Sequence, residues 1–187
     1  MSNVAISGNA SGTGIFTIQS PNSNTDRVLT LPDVSGTVLT SATTTGFPAG
    51  TVLQVVSAST TTLTSTTSST PSDTTLSASI TPTSASSKIA IFVSQTGTER
   101  SSSSITNGID LYLVRNSTTI FQWAVALGYT NTTLALITNS SVNHLDSPAT
   151  TSSVTYKTQF GSYNNSGSVR MQSNNDRSTI LLMEIAG

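Results

Sequence analysis

From Thr51 to the C-terminus, apolar and polar residues alternate in short runs: "TVLQVVS", "TTLSASI", "KIAIFVSQT", "GIDLYLVRN", "TIFQWAVAL", "TLALITN", "SVTYKTQFG", "SVRMQS" and "STILLMEIA". A period of two sends successive side chains to opposite faces of a strand, so each run predicts a half-buried β-strand. Ile89, Ile91 and Val93 share one face, as do Ile109, Leu111 and Leu113, and Val154, Tyr156, Thr158 and Phe160. These faces are expected to form one core. Turn residues separate the runs at the spacing of a sandwich or barrel. "ALGYTNTTLAL" predicts a hairpin turning at Gly128 to Asn131, and "YNNSGS" a second one turning at Asn164 to Gly167, because Asn and Gly tolerate positive φ. No window carries capped helical periodicity. Residues 51–187 are therefore expected to fold as an all-β head, a jelly-roll-like β-sandwich, with a barrel or a less regular sandwich as the alternatives.

Residues 1–50 have a different texture. Short β-like pieces, "VAIS", "GIFTIQS", "RVLTL" and "GTVLTS", alternate with Gly, Pro, Asn and Ser, and no long apolar periodicity develops. An extended N-terminal β arm is expected there, ending at Gly46, Pro48 and Gly50 in "GFPAG". Ser59 to Thr75, "STTTLTSTTSSTPSDTT", has too little charge for a solvated linker and too few apolar residues for a core strand. It is expected to be a partly extended surface stretch.

Composition narrows the class. Hydrophobic residues make up 35% of the 187-residue chain and charged residues 8%, against about 45–50% and about 25% in ordinary globular proteins. Disorder usually accompanies a high net charge, and here the formal net charge is −1. Threonine fills much of the gap, and its β-branched side chain suits a pleated surface. The chain has no cysteine, so disulfides and thiolate zinc sites are unavailable and packing, including packing between chains, must supply stability. No early segment joins basic residues to an apolar stretch, and none approaches about 18 consecutive apolar residues, so neither a signal peptide nor membrane insertion is expected. Seven Lys and Arg, scattered singly, cannot form the basic stripe that phosphate neutralisation requires, so nucleic acid is not an expected partner.

Reactive chemistry is sparse. The single histidine, His144, lies in "VNHLDSP" near Asp146, but serine is so abundant that its presence nearby is uninformative, and no Gly-x-Ser-x-Gly elbow occurs. His144 is expected in a loop beside Pro148. A glycosidase needs two carboxylates about 5–9 Å apart, and the separations of Asp110, Asp146, Asp176 and Glu184 suggest no pair. No catalytic residue is assigned. One His and no Cys exclude the usual zinc patterns, no Asp-rich loop resembles a calcium cradle, and "NNDRS" reads as a turn, so no metal site is assigned. "SGNASGTG" lacks the strand and helix that would make it a phosphate loop, and no cofactor is expected. Asn-x-Ser/Thr triplets at Asn9, Asn116, Asn131, Asn139 and Asn164 are what a chain rich in Ser and Thr gives by chance.

Exposed rings that stack on sugar faces are a common carbohydrate-binding device, so the aromatics form a separate question. Trp123 alternates with Phe121, Val125 and Leu127, which predicts one apolar strand face turned to the core. Tyr129 and Tyr163 each precede an Asn-rich turn, "YTNTT" and "YNNSGS", where a ring, amides and hydroxyls would be presented together. Tyr129, Asn131, Tyr163, Asn164 and Asn165 are the candidate receptor-binding residues. The plainer alternative is a tyrosine that closes a hairpin.

"RVLTLPDVSGTVLTS", Arg27 to Ser41, resembles a segment that recurs in bacteriophage tail-fibre and related virion-appendage proteins, through Leu31-Pro32-Asp33, a small residue and Gly36-Thr37-Val38 between two β runs. "GFPAGTVLQVVS", "LSASITPTSASSKIAIFVS" and "STILLMEIAG" resemble C-terminal fibre modules of phages, particularly those of marine bacteria and cyanobacteria. The stretch from Thr96 to Asn175 carries no such motif. The resemblance implies a homotrimeric rod-and-knob protein of the virion, on the tail or the capsid surface, made in the host cytoplasm. The arm, with Phe16, Ile18, Leu29, Leu31, Pro32, Gly36 and Val38, would trimerise and join other virion proteins. The head would face outward toward a host surface glycan or protein. Tail fibres are typically several times longer, so a terminal module, a small accessory fibre and a capsid-anchored fibre all fit. Two rivals remain: a capsid decoration protein that binds no receptor, and a fibre-associated polysaccharide-degrading enzyme. The family shares no catalytic residues to carry over. An arm of short strands cannot satisfy its edge hydrogen bonds alone, whereas three copies about one axis can, and three equivalent tips give avidity.

Overall fold

The computed structural model describes residues 11–15, 17, 19, 22–26, 28, 30, 33–35, 47–101, 104–165 and 167–187. The chain divides into two compact units, Met1–Val38 and Leu39–Gly187. Among the described residues of the first, none lies in a strand, and Ile15, Val28 and Val34 are exposed at 93%, 90% and 74%. The arm residues Phe16, Ile18, Leu29, Leu31, Pro32, Gly36 and Val38 lie outside the described residues.

The second unit is a β-sandwich. Its strands are β1 Val52–Thr60, β2 Thr64–Thr66, β3 Ser72–Ile80, β4 Lys88–Arg100, β5 Ile109–Arg115, β6 Thr118–Leu127, β7 Leu136–Asp146, β8 Val154–Ser162, β9 Val169–Met171 and β10 Ser178–Ile185. Two antiparallel sheets form. One runs β3-β8-β5-β6; the other runs β1-β10-β4-β9-β2, with β7 on the remaining edge of β4. β10 pairs with β4 as far as Ser94, and β9 pairs with it at Glu99 and Arg100. No described helix is long and apolar enough to cross a membrane.

The period-two faces become the core. Leu76, Ile80, Ile89, Ile91, Val93, Leu113, Val154, Tyr156, Ile180 and Leu182 form one buried cluster, and Ile109, Leu111, Phe160, Val169 and Met171 form a second. Each fully buried aliphatic contributes about 1.5–3 kcal/mol relative to exposure. A buried polar layer separates the clusters. Thr158 Oγ1 donates to Gln95 Oε1 at 3.0 Å and also contacts Thr74 Oγ1, and Gln95 Nε2 donates to Ser178 Oγ at 3.1 Å. The Gln172 amide completes the layer when its nitrogen faces the carbonyls of Thr62 and Thr74 and its oxygen accepts from Ser178 Oγ at 2.9 Å. Hydrogen bonding within the layer offsets the cost of removing these groups from water.

Ser59 to Thr75 is a partly extended surface stretch, as expected: it supplies the end of β1, all of β2 and the start of β3, most of its residues are exposed, and Thr74 alone is buried, against Thr158. Three local expectations are corrected. Neither predicted hairpin forms. β6 pairs with β5 while β7 pairs with β4, and β8 pairs with β3 and β5 while β9 pairs with β2 and β4, so both turns cross between sheets. Each flanking strand has an apolar face, and that face reaches the shared core from opposite sheets. His144 is not in a loop, because β7 continues through Asp146, and its ring stacks on Phe121 with centroids 5.6 Å apart. Phe121, Trp123, Val125 and Leu127 do not share one face. Register shifts between β5 and β6 turn Ile120, Trp123, Ala124 and Leu127 toward the core and leave Phe121 and Val125 exposed. Trp123 touches both clusters, and its Nε1 donates to Ser140 Oγ at 3.0 Å.

Candidate functional site

At one end of the sandwich, the segment entering β5 passes directly against the end of β6. A Cβ placed on Gly108 would lie 2.8 Å from Ala126 Cα and 3.0 Å from its carbonyl carbon, so only glycine fits there. Ala126 itself has φ 51°, a left-handed conformation that alanine rarely adopts. The buried Asp110 carboxylate holds it, accepting from Ala126 N at 2.9 Å. The hydroxyl of Tyr112 lies 3.5 Å from the other oxygen of Asp110. Burial, followed by the Asp110 charge, pushes this hydroxyl above its ordinary pKa and keeps it a donor.

Both candidate tyrosines are fastened to this contact. Tyr129 N donates to Ala126 O at 2.9 Å, and Tyr163 N donates to Gly108 O at 2.9 Å. Tyr163 opens the turn Tyr163–Asn165, in which Asn164 and Asn165 have φ 58° and 51°. Side-chain hydrogen bonds fix that turn and the segment that follows it. Asn165 Oδ1 accepts from Ser69 N, Ser162 Oγ donates to Gly167 O at 2.7 Å, and Asn107 Nδ2 donates to Ser168 O at 3.1 Å.

Thr106, Ala126, Tyr129, Tyr163 and Asn164 thereby line an open cleft of about 290 Å³. Tyr129 is 47% exposed and Tyr163 half-buried. Of the residues nominated from sequence, the fold brings Tyr129, Tyr163 and Asn164 together. Asn131 is exposed but does not line the cleft, and the side chain of Asn165 is engaged by Ser69. No lining side chain carries a formal charge.

One residue that sequence reasoning did not single out organises the loops: Arg100, fully buried at the end of β4. Its Nη1 donates to Gly128 O at 3.2 Å and Thr130 Oγ1 at 3.0 Å. Its Nη2 donates to Ser104 O at 2.7 Å and Thr132 O at 3.3 Å. All these partners are neutral oxygens. One guanidinium therefore ties the loop that carries Tyr129 to the loop that carries Thr106, using the planar fork that lysine lacks. Inward parity on β4 runs through Ile89, Ile91, Val93 and Gln95, which would turn Glu99 inward, but a bulge between Gln95 and Thr98 shifts it. Gly97, at φ 58°, allows that bulge and so turns Thr98 and Arg100 inward. The only sequence signal was a rare cation in "GTER" close behind a glycine.

Asp146 and Glu184 have structural partners. Asp146 accepts from Arg115 Nη1 at 3.0 and 2.9 Å and from the Tyr156 hydroxyl at 2.6 Å, which links β7 to β5 and β8 across the two sheets. Burial, then the bond to Asp146 and its charge, push the Tyr156 hydroxyl far above its usual pKa. Glu184 accepts from Gln54 Nε2 at 2.6 Å and from Thr83 N and Oγ1, each at 2.7 Å. Among the described residues no group of three His, Cys, Asp or Glu could hold a metal ion.

No protein-family model matches this chain, and no curated protein matches it.

Proposed function

We propose that this chain is a bacteriophage virion fibre or spike subunit, trimeric, whose jelly-roll head binds the surface of the host cell. The observation that carries the proposal is the cleft at the loop end of the head. There, two tyrosines from separate loops stand on a backbone fixed by Gly108, Ala126, Asp110 and Arg100. Loops held on a rigid scaffold are where binding residues concentrate. The resemblance of Arg27 to Ser41 and of the strand segments to virion-fibre modules points the same way. The strand rows β1-β10-β4-β7 and β3-β8-β5-β6 support the jelly-roll assignment, since this is the order that two interleaved Greek keys produce.

Trimerisation is proposed from surfaces that a single copy leaves open. On the outer face of the larger sheet, the pairings Val55↔Met183, Met183↔Ala90 and Ala90↔Leu145 set four apolar residues in one row, with Leu181↔Phe92 beside it. Val55 and Leu145 are 53% and 56% exposed. Contiguous apolar patches of this kind mark interaction surfaces, and neighbouring copies would cover them.

The test is adsorption. Virions carrying a chain truncated after Gly50 are expected to attach to host cells far more slowly than intact virions. Unchanged adsorption would sink host binding and leave the capsid decoration role. Release of oligosaccharides from host polysaccharide by the purified protein would favour an enzyme instead.

A further inference from the structure

We propose that the cleft between Tyr129 and Tyr163 holds one uncharged pyranose unit of a surface glycan. The proposal rests on the host-binding role above and gives it a ligand class.

The size, the walls and the charge of the cleft agree on this ligand. At about 290 Å³ it lies at the lower limit of small-molecule sites, which run from about 300 to 1,000 Å³. That is room for a single ring and too little for a folded peptide segment. The two phenol rings supply flat apolar surface at little conformational cost, suited to the C–H face of a sugar. Beside them, the Asn164 amide offers donors and an acceptor together, and the Thr106 hydroxyl, which shares a hydrogen bond with Ser104 Oγ at 3.0 Å, keeps an acceptor lone pair, which matches the paired donor and acceptor character of vicinal sugar hydroxyls.

No lining residue is charged, and the two ionic groups behind the walls are already engaged. Asp110 accepts from Ala126 N, and Arg100 donates to Gly128 O. A uronate or a phosphate would enter the cleft without a cation to receive it, and removing it from water would be uncompensated. A neutral ring incurs no such cost.

The backbone also argues for a ligand site over an ordinary hairpin end. Ala126 takes positive φ beside this cleft, a conformation that costs about 1–3 kcal/mol for a residue that is neither Gly nor Asn. It persists because Asp110 and the Gly108–Ala126 contact hold it. What the strain achieves is geometry: Tyr129 and Tyr163, far apart in sequence, face one cleft. A single pyranose in so open a site binds weakly, so the proposal also calls for several heads acting together on a repeating glycan.

The experiment uses the purified full chain and host cells in three states: untreated, oxidised with periodate to cleave vicinal diols, and treated with protease. The expected result is binding to untreated and protease-treated cells, with at least a tenfold loss after periodate. Tyr129→Ala and Tyr163→Ala should each weaken binding to untreated cells at least tenfold with an unchanged melting temperature. Tyr163→Phe should retain most of it, because the ring face remains. Binding that survives periodate and is abolished by protease overturns the saccharide while leaving host binding intact. Undiminished binding by a folded Tyr163→Ala overturns the site. Competition by methyl glucuronide but not by methyl glucoside, galactoside or mannoside overturns the uncharged ligand. Absence of binding to untreated cells overturns the host-binding role and the saccharide with it.

Discussion

Gly108 and Ala126 touch backbone to backbone, and the carbonyl of each receives the amide of one cleft tyrosine. Gly108→Ala places a methyl 2.8 Å from Ala126 Cα, where no flexible side chain can yield. Overpacking of this kind costs about 1–3 kcal/mol. The variant is expected to unfold at lower urea concentration and to lose cell binding, because the two tyrosines move apart. Equilibrium unfolding followed by tryptophan fluorescence measures the first effect, and a cell-binding assay the second.

Arg100→Lys keeps the charge but cannot span Gly128, Thr130, Ser104 and Thr132 together. Each charge-assisted bond that is not remade costs about 1.5–3 kcal/mol. Amide exchange is expected to accelerate first in 104–107 and 128–132, while the strands of the larger core cluster keep their protection. Uniform acceleration across both sheets would show that Arg100 supports the whole fold and not these loops in particular.

Tyr156→Phe leaves Asp146 with Arg115 but removes the buried hydroxyl that joins β8 to β7. A loss of about 1–3 kcal/mol is expected, the range for a buried acceptor deprived of one donor. Chemical denaturation at neutral pH reads it directly. A change within error would mean that Arg115 alone satisfies the carboxylate.

Burial raises the Glu184 carboxyl, but hydrogen bonds from Gln54 and Thr83 outweigh it and leave the group below its ordinary value of 4.5. The folded state therefore binds this proton more weakly than the unfolded chain does. The stabilisation is complete above 4.5 and disappears as pH falls through that value and on through the lower folded value. In unfolding measurements from neutral pH downward, the wild type is expected to lose more stability in this window than Glu184→Gln does. Parallel curves for the two proteins would exclude Glu184 as the source.

Val55→Lys with Leu145→Lys puts charge into the apolar row on the outer face of the larger sheet. Light scattering is expected to give a trimer mass for the wild type and a reduced mass for the double variant, with the strand content of both unchanged by circular dichroism. A wild-type monomer would sink the trimer.

Much of the strand pattern was legible because a period of two is a local property. Ile89, Ile91 and Val93 declare their shared face without reference to any other strand, and they are buried together. Strand pairing is not local. Gly128 to Asn131 has the composition of a hairpin turn, yet β6 and β7 enter different sheets, because each finds its partner and its half of the core elsewhere. The low-complexity stretch Ser59 to Thr75 is mostly exposed, as its polarity predicts, but the burial of Thr74 within it was not legible, since nothing nearby in sequence reveals that Thr158, itself bonded to Gln95, will receive it.

The sequence by itself determined an all-β chain without cysteine, the inward faces of the main strands, and two tyrosines beside Asn-rich turns, one at a time. Only the tertiary structure decided that Tyr129 and Tyr163 share a cleft, that Arg100 is buried behind its loops, and that Val52 in the first strand of the head pairs directly with Ile185 in the last. The reason is physical. Side-chain alternation follows from the backbone of one strand, whereas bulges such as the one at Gly97 and contacts such as Gly108 on Ala126 arise only when strands from distant parts of the chain compete for one core.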